Sequence, residues 1–78
     1  MKTYSLHDQF NNQELSRHRS IETAVRASLR FSRAVKRANG QNSFLPTCIL
    51  CNGARLDDDQ QEAAFGIQWA IETGMLRA

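Results

Sequence analysis

Seventy-eight residues, 41% hydrophobic and 23% charged, describe one small globular domain and exclude both a disordered tail and a multidomain enzyme. The formal net charge of +2 is too small for a dedicated nucleic-acid binder, and no run of 18 apolar residues is present to span a membrane. A chain of this size buries only about 60% of its unfolded surface, so association with another surface is a natural source of stability.

The opening predicts a β-hairpin. Thr3 and Tyr4 are β-formers, Tyr4, Leu6 and Phe10 fit an in-and-out alternation, and Asn11-Asn12-Gln13 carries turn chemistry because Asn tolerates positive φ. Glu14 to Arg19 return as a polar strand suited to a sheet edge. Ser20 then reads as a helix N-cap with Glu22 in the first turn. Apolar or small residues at 21, 24, 25, 28, 31, 32, 35 and 38 keep helical periodicity until Asn39-Gly40 ends it. "FLPTCILCN" predicts a third strand with Pro46 near its entry, Asn52-Gly53 a type I′ turn, and "ARL" a short return strand. Asp57 to Asp59 supply an N-cap and first-turn carboxylates for a second helix over roughly 58–73, closed by Gly74. The expected fold is therefore α+β, ββαββα: a four-stranded antiparallel sheet with two helices packed on one face.

Charge divides along the chain. Residues 15–39 hold seven cations against Glu22 alone, while residues 56–72 hold five carboxylates and no cation. On the first helix, Arg26, Arg30, Arg33 and Arg37 fall at i, i+4, i+7 and i+11, a ridge roughly 16 Å long, with Lys36 beside it. Guanidinium forks pair with phosphate or carboxylate, so the ridge suits a nucleic-acid backbone, an acidic protein surface, or plain water with some arginines paired to Asp57–Asp59. No aromatic is interleaved on the basic arc and no nucleic-acid-binding motif is present. Asp57, Asp58, Asp59 and Glu62 form the opposing acidic patch, which also reads as ordinary helix capping.

The second helix has one apolar arc, Ala63, Ala64, Ile67, Ala70 and Ile71, wide enough to sit on a sheet. Phe65 and Trp69 stand outside it as an i, i+4 pair, with Leu76 able to join them. They pack against the first helix, or they anchor a partner or a twin chain.

Cys48-x-x-Cys51 falls in a predicted strand, where residues three apart face opposite sides, so neither a shared metal nor a local disulfide fits. His7 and His18 would be the only further zinc ligands, in no finger-like spacing. With no apolar leader at the N-terminus, the expectation is free thiols in a reducing cytoplasm. No Ser/His/acid set or phosphate-cradling glycine loop is present, so no enzyme, metal or cofactor is expected.

In size, element plan, divided charge and lack of a catalytic set, the chain resembles the small single-domain proteins that phages and other mobile elements use against host defences, anti-CRISPR proteins among them. The resemblance implies a non-enzymatic interaction module that covers the nucleic-acid-binding surface of a host nucleoprotein defence complex. The acidic patch would enter a lysine-lined groove, or the arginine ridge would dock on an acidic subunit with Phe65 and Trp69 as anchors. The alternatives are a nucleic-acid-binding regulator using the arginine helix and a structural homodimer.

Overall fold

The structure is a computed structural model and describes residues 2–43 and 46–77. Its elements follow the order β1 (Tyr4–Asp8), β2 (Glu14–His18), α1 (Ile21–Asn39), β3 (Thr47–Cys51), β4 (Ala54–Arg55) and α2 (Asp58–Glu72). The four strands form one antiparallel sheet in the order β2-β1-β3-β4, so the chain has the expected α+β fold. The expected start of the third strand at Phe44 and Leu45 lies outside the described residues.

Local chemistry accounts for the turns. Asn12 takes φ 57°, which lets the β1–β2 connection close through Asn12 N–H to the Asp8 carbonyl at 2.8 Å. Phe10 does not extend the strand alternation: it sits at the hairpin tip, 82% exposed, its N–H turned back to Asp8 Oδ1 at 2.8 Å. Register slips by one between Leu6 and His7, leaving Leu15 as the unpaired residue of a β-bulge. Asn52 and Gly53, at φ 51° and 81°, form the two-residue turn that joins Cys51 to Ala54, as their sequence demands.

α1 carries the chain from the β2 edge back across the sheet to β3. Ser20 caps it, accepting the Thr23 N–H at 3.2 Å. The core lies where its first half crosses β1, with Tyr4, Leu6, Ala24, Val25 and Ala27 buried and Leu6 fully so. Small side chains at 24 and 27 let the helix approach the sheet closely. Ala27 was not part of the expected apolar arc, and Ala38, which was, is exposed because the last turns of α1 run past the core.

α2 packs on α1 and makes no close backbone approach to any described strand. Gln60, Ala64, Ile67 and Ile71, at i, i+4, i+7 and i+11, are its covered residues, and Ala70 is half-buried beside them. Ala63 is exposed, and the arc expected to rest on the sheet rests on α1 instead. β4 is only two residues long, and α2 leaves the face of β3 beside it uncovered. What remains is an open groove of about 660 Å³ between α2 and β3, lined by Val25, Ile49, Leu50, Leu56, Ala64 and Phe65 among others.

Candidate interaction site

The N-terminus of α2 is a reciprocal cap. Asp57 Oδ1 accepts the Gln60 N–H at 2.8 Å, and Gln60 Oε1 accepts the Asp57 N–H at 3.0 Å. Gln60 also reaches Cys51 Sγ at 3.5 Å, tying the cap to β3. Asp57, expected among the capping carboxylates and also in the acidic patch, is thereby committed to the helix start. Asp57→Ala is expected to cost about 1 kcal/mol of stability, read from urea unfolding. An unchanged unfolding midpoint would contradict that role.

Beyond the cap, α2 turns one continuous stripe to solvent. Asp58, Glu62, Phe65, Trp69 and Glu72 recur at i, i+4, i+7, i+11 and i+14, all exposed, over about 21 Å of helix. Phe65 is 69% and Trp69 60% exposed, so of the two placements open to them, the structure selects the surface. Phe65 also overhangs the groove. Met75, 70% exposed, and Leu76 follow just past the helix, where Gly74 at φ 82° turns the chain. Asp59 is exposed one position off the stripe. Glu72, counted among the five carboxylates of residues 56–72 but not placed in the acidic patch, closes the stripe and accepts a hydrogen bond from Gln68 Nε2 at 3.1 Å. The signal that would have found it is the repeat of the 58–62–65–69 spacing one turn further.

Arg30, Arg33, Lys36 and Arg37 are exposed, whereas Arg26 is half-buried, its Nε 3.4 Å from Glu22 Oε2 and its Nη1 donating to the Arg77 carbonyl. Among the described residues the ion pairs are Arg26–Glu22 and Arg17–Glu14. None joins the ridge to Asp57, Asp58, Asp59 or Glu62. The two oppositely charged surfaces therefore do not neutralise each other within the chain.

His18, on the β2 edge, senses the ridge. Burial first, and the positive charge of Arg30 second, hold its pKa below the ordinary 6.5. Between that lowered value and 6.5 the unfolded chain binds a proton the folded chain refuses, so stability rises with pH across the window and the penalty is complete below it. Arg30→Gln removes the second cause only. The His18 pKa, followed by NMR titration, is expected to move part of the way back toward 6.5; a pKa that does not move would contradict the electrostatic contact.

Cys48 and Cys51 are free and half-buried, and no group of three or more His, Cys, Asp or Glu side chains with metal-binding geometry occurs among the described residues. Among the same residues no helix is long and apolar enough to cross a membrane. The chain matches no family model, no curated protein and no solved structure.

Proposed function

We propose that the chain is a non-enzymatic protein-interaction module whose contact face is the acidic–aromatic stripe of α2. The observation that carries this reading is the pair Phe65 and Trp69, standing in water on a folded helix and in line with the carboxylates of Asp58, Glu62 and Glu72. Large aromatics supply most of the binding energy at interface centres, and unpaired charges around them choose the partner. Carboxylates select a cationic partner surface, such as one built to hold nucleic acid.

The biological role most consistent with such a face, and with the resemblance noted above, is inhibition of a host nucleoprotein defence complex by occupying its nucleic-acid-binding surface.

The test is capture of partners from bacterial lysate by wild-type chain and by Asp58→Lys/Glu62→Lys, with both baits checked for folding by circular dichroism. A protein complex retained by wild type and lost by the variant is the expected result. Retention of nucleic acid alone, released by moderate salt and lost on substitution of Arg30 and Arg33 instead, would overturn it in favour of a backbone-binding regulator.

A further inference from the structure

The ridge of α1 contains a recess that the α2 stripe does not use. Arg26, Leu29, Arg30 and Arg33 line, with Ile71 of α2, an open recess of about 210 Å³. The i, i+4, i+7 spacing sets the three arginines along one side of the helix, and half-buried Leu29, with the edge of the buried Ile71 behind it, provides an apolar wall. Arg26 is held in place by Glu22 and by the Arg77 carbonyl, with 27% of its side chain exposed. Glu22 is the one carboxylate paired with these three arginines among the described residues. Three cations less one anion leave the recess with a net charge of +2.

That charge and that shape select a ligand class. A carboxylate would bring one charge and two acceptor oxygens. A phosphomonoester brings close to two charges and three acceptor oxygens, which guanidinium forks bind bidentately. At about 210 Å³ the recess is larger than a phosphate group alone, which leaves space for an organic body beside it. We propose that the recess binds an organic phosphomonoester, with Arg26, Arg30 and Arg33 on the phosphate and the organic body against Leu29 and Ile71. A nucleoside monophosphate fits both halves of the site, because a base can lie on an apolar wall and stack on a guanidinium plane. The inference is independent of the α2 stripe.

The experiment is an NMR titration of the isotope-labelled chain with AMP, adenosine and inorganic phosphate, following the arginine Nε–H resonances and the His18 imidazole. AMP is expected to bind saturably, at least tenfold more tightly than either adenosine or inorganic phosphate. Bound AMP is also expected to raise the His18 pKa, since the added dianion offsets the field of Arg30. Arg30→Gln/Arg33→Gln, at two exposed positions, is expected to keep the fold and lose the AMP response. Equal binding of AMP and adenosine, or an undiminished response in the double variant, would overturn the phosphate assignment. Equal binding of AMP and inorganic phosphate would overturn the role of the apolar wall. Once AMP binding is established, a short 5′-phosphorylated oligonucleotide separates the sources: tighter binding than AMP identifies a strand end, weaker binding a free nucleotide.

Discussion

Leu6→Ala is expected to destabilise the chain by about 2–5 kcal/mol, the largest effect of any single truncation in it. Leu6 is the one large side chain with no exposed surface, set on the central strand β1 beneath Ala24, Val25 and Ala27 of α1. Removing it leaves a cavity whose walls cannot collapse, because β1 is paired on both sides. A small domain has only about 5–15 kcal/mol to lose, so the variant is expected to be largely unfolded at physiological temperature. Thermal unfolding by circular dichroism reads this directly. A loss below 1 kcal/mol would mean that the core does not lie between β1 and α1.

The second large effect concerns binding and leaves folding nearly untouched. Phe65→Ser/Trp69→Ser removes two side chains that contribute little to the core, so stability is expected to stay within about 0.5 kcal/mol of wild type. Each aromatic, as an interface anchor, is worth about 2 kcal/mol or more, so the pair should lower partner affinity by at least a hundredfold. Isothermal titration against the captured partner measures the second quantity and urea unfolding the first. A double variant that binds normally but unfolds easily would return Phe65 and Trp69 to a structural role. The two predictions separate the buried and exposed faces of a chain only 18 Å thick in its shortest direction.

Most of the fold was legible because local chemistry and hydrophobic period agree at each element boundary. Ser20, Asn39-Gly40, Asn52-Gly53 and Asp57 each mark a terminus or turn where the structure has one. What the sequence left open depends on contacts between elements. Whether α2 lies on the sheet or on α1 is decided by packing between elements far apart in the chain, and "ARL" does not reveal that β4 stops after two residues. Phe10 has the right spacing for a strand, yet the bend enforced by Asn12 ends β1 before it. Phe65 and Trp69 had two possible homes by periodicity alone, and only the placement of the 60–64–67–71 face on α1 decides between them.

The charged surfaces were legible as composition but not as geometry. Arg26, Arg30, Arg33 and Arg37 form a ridge by spacing, while the recess depends on Ile71 arriving from α2, a contact between residues 38 to 45 positions apart in the chain. Likewise the acidic patch read as one cluster divides in the structure. Asp57 caps the helix, whereas Asp58 and Glu62 join the aromatics in the stripe.

Trp69 is the only tryptophan, so its fluorescence isolates the stripe from the rest of the molecule. The most direct test of the account is its emission maximum and acrylamide quenching in the free chain over a wide concentration series. Water-like emission and ready quenching are expected at every concentration, because the stripe is open until a partner of a different kind covers it. A blue-shifted, shielded tryptophan in the dilute chain would contradict the exposed stripe, and shielding that develops with concentration would assign the face to a second copy of the chain.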